Sequence, residues 1–99
     1  MPHMPKATLI FKEKLVFPDH AIMEGVIWQL PQASPERPHG LKYRLYYGKG
    51  GERIIGYDNE RGKGDHRHYR DLEQDYLFTT VEQLIADFFA DVHRERGES

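Results

Sequence analysis

The C-terminal part of this chain carries an apolar stripe of helical period, and that stripe dictates much of what the rest must be. Val81, Leu84, Ile85, Phe88, Phe89 and Val92 follow i, i+3, i+4, i+7, i+8, i+11 spacing, which gathers them on one face of an α-helix. Thr79 or Thr80 can cap its start, each with Glu82 or Gln83 three positions on as in a capping box, and Gly97 can end it, so a helix is predicted over 79–96. Burying each large apolar side chain stabilises by about 1.5–3 kcal/mol, so the stripe needs an apolar partner surface. The preceding residues must supply it, and replacing Phe88 by Asp is expected to abolish folding. The acidic side of the helix, with Glu82, Asp87 and Asp91, reads as its solvated face.

Those preceding residues have the two-residue period of strands. Between Ala7 and Phe17, Leu9, Phe11, Leu15 and Phe17 fall on odd positions and Lys12 and Lys14 on even ones, with a lapse at Glu13. Pro18-Asp19-His20 has turn chemistry and leads to a second strand, from about Ala21 to Leu30. Ile22, Val26, Trp28 and Leu30 are expected on its apolar face, with Trp28 in the core and Gly25 as a bulge. Pro31 to Gly40 contains three prolines and reads as an exposed connection. Leu41 to Tyr47 alternates most cleanly: Tyr43 and Tyr47 are expected in the core, and Tyr46 lies with Lys42 and Arg44 on a basic face. Gly48-Lys49-Gly50-Gly51 suits a tight hairpin to a fourth strand, Arg53 to Tyr57. His66 to Tyr69 starts a fifth, and a short break through Asp71 to Asp75 leads to Tyr76-Leu77-Phe78.

The expected fold class is therefore α+β: an antiparallel meander sheet of about five strands packed against one C-terminal amphipathic helix. With 99 residues there is material for one core, so residues 1–99 are read as a single domain, with 1–6 flexible. The chain has no cysteine, which excludes disulfides, a thiolate nucleophile and Cys-based zinc sites. Apolar stretches fall short of the roughly 18 residues that span a bilayer, and the start lacks a signal-peptide core, so a cytoplasmic location without membrane contact is expected. Charge is split along the chain. Residues 36–70 carry nine Lys/Arg against five acids, and residues 71–99 two against eight. Such a split suits an anion-binding face on one element and a solvated or partner-facing one on another.

The densest polar constellation is Tyr57-Asp58-Asn59-Glu60-Arg61-Gly62-Lys63-Gly64-Asp65-His66-Arg67-His68. His66 and His68 are two apart, so on a strand their imidazoles emerge on one face. Imidazole exchanges protons near neutrality, and such a pair can serve as general base and general acid. Arg61, Lys63, Arg67 and Arg70 surround the pair with the fixed cations that stabilise phosphate charge. A solvated strand that happens to carry two histidines is the plainer reading. A metal held by the histidines with Asp58 or Asp65 would need a further ligand, and no metal or cofactor is assigned. Gly62-Lys63-Gly64 lacks the Walker pattern and is read as a flexible turn. Tyr46, among basic residues, is a candidate contact for single-stranded nucleic acid.

The order of the strand signals, Gly56-Tyr57-Asp58-Asn59, the Gly-Asp-His-Arg-His at 64–68, and Phe78-Thr79-Thr80-Val81-Glu82-Gln83-Leu84-Ile85-Ala86-Asp87-Phe88 together resemble the TumE-like toxins of prokaryotic type II toxin–antitoxin systems, over residues 7 to 93. The resemblance implies a small cytoplasmic bacterial or archaeal protein, neutralised by a helix-turn-helix antitoxin encoded beside it. Asp58, Asn59, His66 and His68 are the matching positions. Two functions are carried forward. One is a toxin that cleaves RNA in a ribonuclease-like way, with His66 and His68 in proton transfer, Asp58 orienting one of them, and Arg61, Lys63 and Arg67 binding phosphate beside Asn59 and Tyr46. The other is a non-enzymatic module that binds nucleic acid or a partner protein. A sheet covered by one helix leaves a face or edge open, which makes a homodimer a further expectation.

Overall fold

The computed structural model describes residues 6–60 and 62–97. The flexibility expected of residues 1–6 concerns positions that, apart from Lys6, lie outside this set, as does Arg61. Among the described residues the chain forms six strands and one helix: β1 (Thr8–Val16), β2 (Ile22–Gln29), β3 (Leu41–Lys49), β4 (Glu52–Asp58), β5 (His66–Tyr69), β6 (Leu72–Asp75) and α1 (Val81–Glu95). The strands make one antiparallel sheet in the order β1-β2-β3-β4-β5-β6. This is the meander under a C-terminal helix that the periodicities imply, with one strand more than five. Residues 72–75, read as part of a break, pair with β5 throughout, from Tyr69↔Leu72 to His66↔Asp75. No helix among the described residues is long and apolar enough to cross a membrane.

The turns follow local chemistry. Gly50 and Gly51 both take positive φ, 62° and 78°, between β3 and β4, where a side chain would be strained. The two-residue turn between β5 and β6 places Arg70 at φ 54°, an uncommon conformation for a residue with a Cβ. Its guanidinium then reaches Glu95 on the helix.

Directly paired residues on neighbouring strands share a face of the sheet, so the register sorts the side chains. Phe11, Ile27 and Tyr43 lie on the helix side, as do Leu45 with Tyr57, and Met23 with Tyr47 and Ile55. Here the reading of β2 is corrected. Ile27 is fully buried beneath the helix, whereas Val26 and Trp28 lie half-buried on the opposite face. Apolar residues occupy both faces of β2, and periodicity alone picked the wrong one. Gly25 is no bulge either: it pairs regularly with Glu13 and Leu45, and a Cβ there would stand 2.5 Å from Leu45 Cδ2. The glycine makes room for a core leucine, while the irregular step lies in β1 between Leu9 and Phe11.

Thr80 caps α1, its side-chain oxygen accepting from Gln83 N at 3.0 Å. Leu84, Phe88 and Val92 are buried against the sheet. The acidic side of the helix is not its solvated face, which corrects the sequence reading for Asp87 and Asp91. Asp87, Asp91 and Glu95, spaced i, i+4, i+8, each accept a hydrogen bond from a tyrosine: Tyr76, just past β6, at 2.6 Å, Tyr57 of β4 at 2.6 Å and Tyr69 of β5 at 2.7 Å. Burial first, then the neighbouring carboxylates, push all three phenols above their ordinary value of 10.0, so they stay donors. This polar seat holds the helix over β4 and β5. Its other flank, Ile85 and Phe89, faces Phe11, Leu15 and Met23 across an open apolar groove of about 310 Å³.

Candidate functional site

On the face away from the helix, two cross-strand rows run towards β6. One is Lys12–Val26–Arg44–Asp58–His66–Asp75, and the next is Lys14–Glu24–Tyr46–Gly56–His68–Glu73. His66 and His68 thus emerge side by side, Asp58 beside the first and Gly56 beside the second. Arg53, Asp58, Glu60, Lys63, His66, His68 and Glu73 line a polar pocket of about 260 Å³.

Each imidazole is held by its own chain. His66 Nε2 lies 2.5 Å from the Lys63 carbonyl, which can only accept, so this nitrogen carries a proton. His66 Nδ1 is buried without a hydrogen bond, with Glu73 Oε1 at 3.5 Å and Asp75 Oδ1 at 3.8 Å. The Arg53 guanidinium can only donate, and its Nη2 lies 3.2 Å from His68 Nδ1. His68 therefore accepts there and, when neutral, has its proton on Nε2, 3.8 Å from Asp58 Oδ2. Gly56 makes this arrangement possible, since a Cβ at 56 would stand 2.9 Å from Arg53 Cδ. Arg53 crosses the sheet over the glycine to reach the histidine.

The other candidates fall in different places. Lys63 lines the pocket, and Tyr46 stands on the same face, two strands from His68. Arg67 points the other way. Its Nε and Nη2 donate to Asp91 at 2.7 and 2.9 Å, and Nε also reaches the Tyr57 hydroxyl at 3.0 Å, beneath the helix. The hydrogen bond to Asp91 raises the Arg67 pKa despite burial. Burial tends to raise the Asp91 carboxyl, but hydrogen bonds from Arg67 and Tyr57 with the charges of Arg67 and Arg94 outweigh it and hold the carboxyl below its ordinary value. Asn59 is 1% exposed and satisfies backbone: Oδ1 accepts from Tyr43 N at 3.0 Å and Nδ2 donates to Leu41 O at 2.7 Å. It extends the pairing of β3 past the end of β4.

Sequence reasoning missed Arg53 and Glu73 in the pocket and gave Glu60, part of the polar constellation, no role. A hairpin register from β3 to β6 would have found Glu73, which pairs with His68. Nothing local signals that Arg53 lies over Gly56. The loop between β2 and β3 is also part of the surroundings. Arg37 donates from Nε and Nη2 to Asn59 O at 3.2 and 3.0 Å, Gly62 N donates to Glu36 at 3.0 Å, and His39 Nε2 donates to Asp65 at 3.0 Å while its Nδ1 accepts from Leu41 N. With both ring nitrogens engaged, His39 is a fastener between two loops. Asp65 is likewise committed to it and turned away from the pocket histidines. Among the described residues no group of three or more His, Asp or Glu side chains is arranged to hold a metal ion.

A family model described as Toxin TumE matches residues 3–96. No curated protein and no solved structure matches the chain.

Proposed function

This chain belongs to the TumE toxin family, and we propose that it acts on RNA, cleaving phosphodiester bonds with His66 and His68 as the proton-transfer pair. The observation that carries the reading is the shared pocket: two imidazoles from alternate positions of β5 open into one polar cavity with Asp58, Arg53 and Lys63. Metal-free cleavage of RNA needs a base for the ribose 2′-hydroxyl and an acid for the 5′-oxygen that leaves, and paired imidazoles provide both. Arg53 and Lys63 are the cations for the phosphate. A phosphate that draws Arg53 to itself frees His68 Nδ1 to take a proton, and Asp58, facing Nε2, orients the ring. Arg67 and Asn59 act as positioning residues in this reading: Arg67 holds β5 from the helix side, and Asn59 fixes the loop that carries Lys63.

Replacing either histidine by Ala tests the proposal. Both variants keep the circular dichroism of the parent and lose growth inhibition, with RNA cleavage reduced by about 10²-fold or more. Undiminished toxicity in both variants would falsify the mechanism. A second reading, a non-enzymatic binding module, draws on the carboxylates Asp58, Glu60 and Glu73 in the same cavity and on the intramolecular engagement of both rings. Under it, Arg53→Ala and Lys63→Ala weaken partner binding in a salt-dependent way and the histidine variants match the parent. The partner that neutralises the protein is proposed to be an antitoxin with a helix-turn-helix domain, which co-expression of the neighbouring reading frame would capture.

A further inference from the structure

We infer that the face of the sheet away from the helix is a track for single-stranded RNA, on which Trp28 and Tyr46 stack bases and Lys12, Lys42 and Arg44 hold phosphates. The track leads into the histidine pocket. This deepens the proposed action on RNA by naming how the strand is held, and it rests on that reading for the chemistry at the pocket end alone.

The surface is continuous. A depression of about 480 Å³ is lined by Val26, Trp28, Lys42, Arg44, Asp58 and Glu60 among others, and one of about 490 Å³ by Lys12, Val26, Arg44 and Tyr46 among others. The two meet at Val26 and Arg44, and the first adjoins the histidine pocket at Asp58 and Glu60. Strands lie about 4.8 Å apart, so Tyr46 on β3 stands roughly 10 Å from His68 on β5, with Gly56 between them.

The aromatic rings are displayed and not consumed by the core. Trp28 is half-buried on the face without the helix, paired with Leu9 on one side and Lys42 on the other. Tyr46 lies down along its own strand: a Cβ at Gly48 would meet its hydroxyl at 2.3 Å, so the glycine leaves room for a ring lying on the sheet. Rings on a sheet surface are the platform on which unpaired bases stack, and a base inside a duplex cannot reach them.

Among the described residues no carboxylate claims the cations beside the rings. Lys49, Arg70 and Arg94, elsewhere on the surface, each pair with a carboxylate. Among the described residues Lys12, Lys42 and Arg44 form no ion pair. Lys12, Lys42 and Arg44 outnumber Glu24 and Asp58, the acids next to Tyr46 and Arg44 on this face, and cations interleaved with aromatic rings complement a flexible polyanion that carries planar bases. An acidic peptide would use the charges and leave the rings idle.

Trp28 is the only tryptophan, which makes the track its own reporter. The test titrates the His66→Ala/His68→Ala double variant, which cannot cleave by the proposed route, with an unstructured uridine oligomer. Quenching of Trp28 emission is expected, and the same length of duplex RNA leaves it unchanged. By anisotropy of a labelled oligomer, Lys42→Ala/Arg44→Ala weakens binding, and the slope of log K against log salt falls by about 1.4 for two phosphate contacts at roughly 0.7 each. Tyr46→Ala and Trp28→Ala weaken binding about ten-fold, and Trp28→Phe, a fold control that keeps a ring, retains most of it. RNA binding without quenching, or indifference to both the lysine–arginine and the tyrosine variants, overturns the track. Equal affinity for poly-glutamate reassigns the face to an acidic protein and also overturns it. Loss of cleavage in the histidine variants with no quenching would leave the catalytic reading standing without the track. Quenching by a parent protein that cleaves nothing would do the reverse.

Discussion

Replacing Asp91 by Asn removes one charge from beneath the helix and almost nothing of its shape. Asp91 takes two hydrogen bonds from Arg67, one from Tyr57 and one from Arg94, and its side chain is 5% exposed. Breaking a buried pair by removing one partner typically costs about 3–5 kcal/mol, because the other charge is left uncompensated. Two features reduce this. Arg67 retains 17% of its side-chain exposure, and the asparagine carbonyl still accepts one of the bonds; Arg94, at 66%, adds little. We expect a loss of about 2–3 kcal/mol, or roughly 10–20 °C in melting temperature for a domain of this size. The pH dependence gives a second check. The folded carboxyl titrates below its ordinary value of 3.8, so its stabilising effect is complete above about pH 5 and is lost as pH falls through the folded value. Urea unfolding of both proteins near neutrality and at about pH 2.5 measures the difference. Equal stability near neutrality would refute the reasoning, and so would a gap that fails to narrow in acid.

Two further outcomes follow from side chains described above. Asn59→Ala leaves Tyr43 N and Leu41 O without their buried partners, so a loss of about 1–3 kcal/mol for each is expected in denaturant melts, and a change under 1 kcal/mol in total would contradict the role given to Asn59. Gly56→Ala pushes against a flexible arm, so stability changes by less than about 1 kcal/mol, but Arg53 is displaced from His68. Ring-nitrogen NMR signals of His68 should move while the melting temperature holds, and unmoved signals would show that the glycine does not matter.

Much of the architecture was legible in the chain. The helix had an uninterrupted stripe and a cap, and the β3–β4 hairpin had clean alternation around glycines. Where periodicity was ambiguous, the reading went astray. In β2 the run Ile22-Met23 and the run Val26-Ile27-Trp28 put apolar residues on both faces, and only the register with Leu45 and Tyr43 decides which face is core. In β6 the sequence Leu-Glu-Gln-Asp has one apolar residue, all four positions are exposed, and pairing comes from a neighbour's backbone. The placement of Arg67 was available in principle, because the alternation that joins His66 to His68 turns the residue between them away. The docking of Asp87 and Asp91 was not. Acids on a helix look solvated until a sheet brings tyrosines and an arginine to them from elsewhere in the chain.

The proline-containing loop is fastened to Asn59, Gly62 and Asp65, positions on both sides of Lys63. The wall that carries Lys63 is braced from outside by Glu36, Arg37 and His39, none of which lines the cavity. A wall held in this way would have little freedom left to surrender on association. Residues remote in the chain thereby set the shape of the cavity wall, and Arg37 does so while also lining the neighbouring depression.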